Sequence, residues 1–221
     1  MLENIKMVVF DMAGTTVDEQ NVVYKTLHKA LNTHGVAVDL NTVLKIGAGK
    51  EKHQAIKDVL VEFKPNKLGE SEAIFEEFKK MLDEAYENLE VKPIKGVENV
   101  LLNLRQKGII VVLNTGYNRQ VAEKLLEKLA WDKNIHYDML LTASDVENGR
   151  PHPEMIQKAM ETFNITDASF VLKAGDSAID IEEGKNANCG VTIGVLSGAQ
   201  TKEQLEVQNP DYILLSLSEL V

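Results

Sequence analysis

Carboxylates that stand at the ends of apolar runs are the residues of this sequence best suited to chemistry, either as nucleophiles or as ligands of a cation. The run Met7-Val8-Val9-Phe10 stops at Asp11 and passes into Met12-Ala13-Gly14-Thr15-Thr16-Val17-Asp18. Short runs rich in Val and Phe that end in a Gly turn read as central strands of a parallel sheet, and such sheets bind ligands beyond the carboxyl ends of their strands. A second run, Phe170-Val171-Leu172-Lys173-Ala174-Gly175, is followed by Asp176 and Asp180, two carboxylates at i and i+4 and so close enough to serve one cation. Val111-Val112-Leu113-Asn114-Thr115-Gly116-Tyr117 ends in a hydroxyl and free backbone N–H groups ahead of a helical pattern, a combination that suits an oxyanion. In Gly149-Arg150-Pro151-His152-Pro153 the prolines fix the loop and the first turn of the next helix, while Arg150 offers a planar fork for phosphate. Each segment alone is ordinary turn chemistry. The four in this order are specific.

The elements that must hold these residues alternate. After the first strand come helices alone, with apolar residues at helical spacing in 22–31, 55–63 and 73–89. Helix and strand then alternate, with strands expected at 109–113, 138–142, 170–174, 191–195 and 212–215 and helices from about 97, at 118–129, 153–163 and 178–187, and a short one near 202. That alternation specifies a Rossmann-like parallel sheet with right-handed crossovers, carrying an inserted α-helical cap domain. The expected division is a catalytic core of residues 1–17 and 93–221 and a helical cap of residues 18–92, hinged near 16–19 and 92–96, where Pro93 and Gly96 interrupt the pattern.

The 221 residues suffice for one sizeable core and a small second domain. A net charge of −10 argues against nucleic acid or an anionic membrane surface as partner. The single Cys189 forms no internal disulfide and reads as a packing residue, and no run of about 18 apolar residues is present to span a bilayer. The charged first six residues lead straight into the first strand, so no secretory leader is expected, and the chain reads as cytoplasmic, a monomer or homodimer.

With Asp11, Thr115, Arg150 and Asp176 with Asp180 in hand, the chain resembles the haloacid dehalogenase superfamily over nearly its whole length. That superfamily usually carries Asp-x-Asp in its first motif, the second carboxylate being the general acid and base. Here position 13 is Ala. The substitution, with Thr115-Gly116-Tyr117, Gly149-Arg150-Pro151 and Gly47-x-x-Lys50-x-x-His53, resembles the phosphonoacetaldehyde hydrolase (phosphonatase)-like branch. The chain departs from that branch at Met12, Asn21 and Ile46, where the branch carries Trp, Cys and Met, and its tail is nearer to ordinary phosphatases of the superfamily.

The resemblance implies a Mg2+-dependent hydrolase acting on a small phosphonate or phosphorylated substrate. Lys50 is implied to form a Schiff base with the substrate aldehyde and His53 to assist proton transfer. Asp11, held with Mg2+ by Asp176, Asp180 and the backbone carbonyl of Ala13, attacks phosphorus to give an aspartyl phosphate, while Gly47, Thr115, Gly116, Tyr117 and Arg150 bind the substrate and its phosphorus oxygens. An iminium makes the carboxylic acid missing at Ala13 unnecessary, since the departing carbon becomes an enamine. A phosphomonoester phosphatase is the alternative and would want an acid at position 13, as would a sugar-phosphate mutase. A carbon–halogen dehalogenase needs no Mg2+ site. A non-catalytic binding protein on this fold is expected to lose the carboxylates that are present here.

Overall fold

The most apolar strand lies at the centre of the sheet. In the computed structural model, which describes residues 1–220, β1 (Met7–Asp11) is buried at every position, the terminal carboxylate included. The chain then makes β2 (Val17–Asp18), four helices α1 (Val22–Thr33), α2 (Leu40–Gly47), α3 (Lys52–Phe63) and α4 (Ser71–Asn88), and returns through β3 (Lys92–Pro93). Helix and strand alternate from there: α5 (Val97–Gln106), β4 (Ile110–Thr115), α6 (Arg119–Lys128), β5 (Met139–Thr142), α7 (Glu154–Thr162), β6 (Val171–Gly175), α8 (Ala178–Asn186), β7 (Val191–Val195), α9 (Lys202–Glu206) and β8 (Tyr212–Leu214). Six of the strands form one parallel sheet in the order β5-β4-β1-β6-β7-β8, so the expected α/β class and parallel sheet are present.

Both faces of that sheet are covered. Val8, Phe10, Val111 and Leu113 point into a core shared with α1 and α5, while Met7, Val9, Val112 and Leu141 point into a second core with Met155, Ile156 and Ala159 of α7. The period of two that sorts these side chains is invisible in hydropathy, because both faces are apolar. Cys189 packs at the edge of the second core.

From β1 the chain runs outward to β4 and β5 on one side and to β6, β7 and β8 on the other. That reversal leaves a crevice beyond the carboxyl ends of β1, β4 and β6. The register sets Asp11 beside Asn114 and Phe10 beside Ala174, which brings the segments after β4 and β6 level with the nucleophile position.

The four helices stand over this crevice, carried on the antiparallel pair β2–β3 at the exit and return of the chain. One helix was not among the sequence expectations: α2, although Leu40, Val43, Leu44 and Gly47 follow helical spacing and Asp39 caps it by accepting from the Thr42 N–H at 2.7 Å. Among the described residues no helix is long and apolar enough to cross a membrane.

Helices and core meet backbone to backbone. Gly49 adopts φ +74° in the turn before α3, a conformation that other residues rarely hold, and its N–H donates to the buried Tyr24 hydroxyl at 3.1 Å. Gly116, which follows β4, lies under this turn: a Cβ there would fall 2.8 Å from the Gly49 carbonyl oxygen and 3.1 Å from that of Lys50. Gly116 has an ordinary backbone conformation, so its side-chain-free face is needed only for this approach. Gly116→Ala should therefore leave the thermal midpoint within a few degrees of wild type and lower kcat/KM by about 100-fold, the usual cost of a displacement near 1 Å. Calorimetry and steady-state kinetics on the same preparation check both halves.

Candidate active site

Asp11, Asp176 and Asp180 converge at the crevice, each buried, with one carboxylate oxygen of each within 4.8 Å of the others. Arg150 binds two of them, its Nη2 donating to Asp11 Oδ1 at 2.8 Å and its Nη1 to Asp180. Lys173 reaches Asp180 at 3.0 Å, Glu183 at 3.2 Å and the Asn114 side-chain carbonyl at 2.7 Å, and Asn114 Nδ2 donates to both Glu183 oxygens at 3.0 and 2.9 Å. The Ser177 hydroxyl donates to Asp180 at 2.5 Å, and the Ala199 N–H donates to Asp176 at 2.6 Å.

This network is short of positive charge. Two cations, Arg150 and Lys173, face four carboxylates, Asp11, Asp176, Asp180 and Glu183, so the formal excess is two negative charges in a region closed to water. The titrations register the shortfall. Burial pushes the Asp11 carboxyl up to about 6 against the pull of Arg150. Burial, then the neighbouring Asp11 and Asp180, drive Asp176 well above the carboxylate range. Asp180 is buried too, yet Arg150 and Lys173 hold it below its ordinary value. Asp180 is thus neutralised from within the protein, whereas Asp11 and Asp176 are the pair left to a hard divalent cation, for which oxygen donors of this kind are suited. The Ala13 backbone lies at the same small cavity.

Thr115, Gly116, Tyr117 and Arg150 line that cavity with Asp11, Asp176, Tyr24, Gly49 and Lys52. Lys52 is the lysine whose ammonium enters. It is nine-tenths or more buried, donates from Nζ to the Lys50 carbonyl at 2.5 Å, and lies 4.9 Å from the Tyr24 ring centroid and 5.4 Å from that of Tyr117. Burial, and after it the Arg150 charge, bring Lys52 down to about 8, with Asp11, Glu51 and Glu19 opposing.

Lys50, expected here from the family resemblance, goes elsewhere: its Nζ pairs with Asp58 of α3 at 2.5 Å on a half-buried flank. The reason is local. Glu51 caps α3 by accepting from the His53 and Gln54 N–H groups, which makes Lys52 the first helical residue, and side chains on a helix lean back toward its N-terminus, here toward the cavity. Lys50 precedes the cap and turns along the outer flank. His53 is likewise directed away, stacked on Phe75 of α4 at 4.9 Å between ring centroids with Nε2 3.3 Å from the Ser71 hydroxyl. Gly47 is buried between helices, its missing Cβ position 3.1 Å from Ala55 Cβ.

Sequence reasoning also passed over Lys173, Glu183, Asn114 and Glu19. Lys173 had a legible signal, a charge inside an otherwise apolar strand, and Glu183 stands one helical turn from Asp180 on α8. Glu19 had none: it follows β2, accepts from the Val23 N–H at 3.3 Å, and is pushed by burial up to about 7 against those backbone contacts and the nearby Lys52.

Comparison with known proteins accords with this arrangement. The family model for haloacid dehalogenase-like hydrolases matches residues 8–194. The chain belongs to that family. It is an enzyme, a hydrolase built on the superfamily's α/β core. It is 32% identical over 234 residues to a phosphonoacetaldehyde hydrolase of Bacillus cereus, covering 96% of this chain and 84% of that one. Among solved structures, a phosphonoacetaldehyde hydrolase-like protein of Oleispira antarctica superposes with a TM-score of 0.84 at 21% identity, covering 98% of this chain and 90% of that one. A protein from Haemophilus somnus described as a predicted phosphoglycolate phosphatase gives 0.79 at 19% identity over 98% and 96%. At such identities the two structures speak for the fold alone.

The charge shortfall makes a two-sided test of the hydrolase's metal site. Asp176→Asn removes one unpaired buried carboxylate, so the metal-free variant should unfold at a higher temperature than metal-free wild type. Its affinity for Mg2+ should fall at least tenfold, about 1.4 kcal/mol, and the Mg2+-induced rise in midpoint should shrink with it. Thermal scans with and without Mg2+ and titration calorimetry supply both readings.

Proposed function

We propose that this hydrolase cleaves the carbon–phosphorus bond of a small phosphonate bearing a carbonyl group two atoms from phosphorus, phosphonoacetaldehyde being the simplest. The observation that carries this reading is a buried amine, Lys52, in the same cavity as Asp11, in a chain whose position 13 offers no carboxylic acid. A phosphate monoester leaves as an alkoxide and needs a proton from such an acid. A phosphonate whose carbonyl has condensed with an amine does not.

In this reading Asp11, Asp176 and the Ala13 carbonyl would hold Mg2+, which would supply positive charge against the phosphorus oxygens. Arg150 and the N–H groups that follow Thr115 bind those oxygens, and Asp180 fixes Arg150. Lys52 as free amine adds to the carbonyl and water leaves, giving an iminium. Asp11 then attacks phosphorus, the carbon–phosphorus bonding pair passes into the iminium to form an enamine, and an aspartyl phosphate remains. Water hydrolyses that acyl phosphate, and protonation and hydrolysis of the enamine release the carbonyl product and restore Lys52. Glu19, near neutral pH in its titration and facing Lys52, is suited to carry the proton. Residues 18–92 act as the cap domain that closes over the substrate. The enzyme works as a cytoplasmic monomer or homodimer, an expectation from composition alone.

The family resemblance favours Lys50 as the amine and the cavity favours Lys52, so trapping has to distinguish them. Borohydride with phosphonoacetaldehyde should inactivate the Mg2+ enzyme and leave the reduced adduct in the peptide carrying Lys52. Lys52→Arg should abolish trapping and lower kcat by at least 10³-fold, whereas Lys50→Arg should stay within about threefold of wild type. An adduct on Lys50 would move the role back to that residue. Turnover of phosphate monoesters without any trapping would replace the reading with a phosphomonoester phosphatase.

The lowered ammonium titration has a second consequence. Because the amine is the free base only above about 8, kcat/KM for the aldehyde should climb as pH rises toward about 8 and level beyond it. Groups facing Lys52 are Arg150, Asp11, Glu51 and Glu19. A rising limb that moves to lower pH in Glu19→Gln and in Glu51→Gln belongs to the amine, because each of those carboxylates favours the ammonium, and a flat profile through this range would remove Lys52 from the role.

A further inference from the structure

The space directly over Asp11 is small, about 10 Å³, enough for one water. A larger cavity of about 210 Å³ adjoins it, and the two share Lys52, Gly116 and Tyr117 as common wall. Its remaining apolar lining comes from Phe75, Phe78 and Leu82 of α4 with Val23 of α1 on one side and from Val121 of α6 with Ala143 on the other. Phe78 and Leu82 are buried at 2% and 5% exposure, and they face a space that no side chain of the described residues fills. Polar groups stand around it: Glu51, Lys79 and Asp83 carry charge, and Asn118, Gln120 and Ser144 are neutral. An apolar hollow with a few polar groups at its edge is the usual form of a small-molecule site. A cavity of about 150 Å³ lined by Leu, Ile and Phe takes up benzene, so about 210 Å³ is room for a ring or a branched chain.

Phosphorus must sit by Asp11 and Arg150, and the carbonyl must meet Lys52. Whatever lies beyond the carbonyl is then carried past Lys52 and Tyr117 into the larger cavity. Acetaldehyde has only a hydrogen at that position and would leave the hollow unused.

Resting on the carbon–phosphorus reading above, we infer that the preferred substrates are 2-oxoalkylphosphonates whose group beyond the carbonyl is apolar and about the size of a phenyl ring, seated between α4 and α6. Cleavage runs as before: the ketone and Lys52 form an iminium with loss of water, phosphorus passes to Asp11, and the enamine takes a proton on carbon. Two waters then release phosphate and the methyl ketone, one water having been returned at condensation, so one is consumed overall.

The test compares phosphonoacetaldehyde, 2-oxopropylphosphonate and 2-oxo-3-phenylpropylphosphonate on the Mg2+ enzyme, with phosphate release as readout. The phenyl ketone should exceed the methyl ketone in kcat/KM by at least tenfold. Phe78→Trp and Val121→Phe fill the hollow from opposite walls, and Val121 is only partly buried, so the second substitution keeps the test available should the first fail to fold. Either should reduce kcat/KM for the phenyl ketone at least tenfold more than for phosphonoacetaldehyde. An equal loss for all three compounds makes the hollow a mere passage and overturns the inference. Turnover of phosphonoacetaldehyde with the phenyl ketone inert also overturns it and leaves the carbon–phosphorus reading standing. Failure of all three compounds overturns both.

Discussion

The arrangement of this active site depends on a buried charge imbalance. Burying an ion costs several kcal/mol unless partners compensate, and here Arg150 and Lys173 compensate only two of four carboxylates. The protein directs its own cations to Asp180 and Glu183 and gives Asp11 just one guanidinium nitrogen, leaving Asp176 with backbone alone. The unequal distribution is what sets the Asp11–Asp176 pair apart as the place in this cluster best suited to hold a divalent ion. It also explains why Asn114 is wanted inside a strand: its amide links Lys173 to Glu183, donating to the acid and accepting from the base.

The same imbalance reaches the helices above. Lys52 enters a cavity already containing Arg150, and burial plus that like charge lower its proton affinity, which turns an ordinary surface cation into a candidate nucleophile. Gly49 and Gly116 allow the close backbone approach that puts it there. A helical insert without this glycine contact would hold its lysine in solvent, where the ammonium is protonated and inert.

The absence of an acid at position 13 and the presence of an amine in the cavity are complementary. In the proposed reading, one removes the route by which an alkoxide would depart, and the other supplies a route for carbon to depart without it. Solved structures named for a phosphatase and for a phosphonoacetaldehyde hydrolase-like protein share this fold, so that proposal rests on these two side chains rather than on architecture.

Strand ends were legible in the sequence because a buried parallel strand must be apolar and its reactive residue must come after it. Asp11, Thr115, Arg150, Asp176 and Asp180 could be found one by one, and their order gave the parallel sheet. The interior partners Lys173 and Glu183 were visible only as oddities, a charge in an apolar strand and a second acid one turn along a helix, since nothing local says which buried charges will meet. Lys50 and Lys52 mark the limit. They differ by two positions, and the family resemblance points to the first. Which ammonium enters the cavity beside Asp11 was decided by where Glu51 starts α3, by Asp58 drawing Lys50 outward, and by the glycine turn resting on Gly116. Side-chain direction at a helix start follows from packing between distant segments, and only the folded chain brings those segments together.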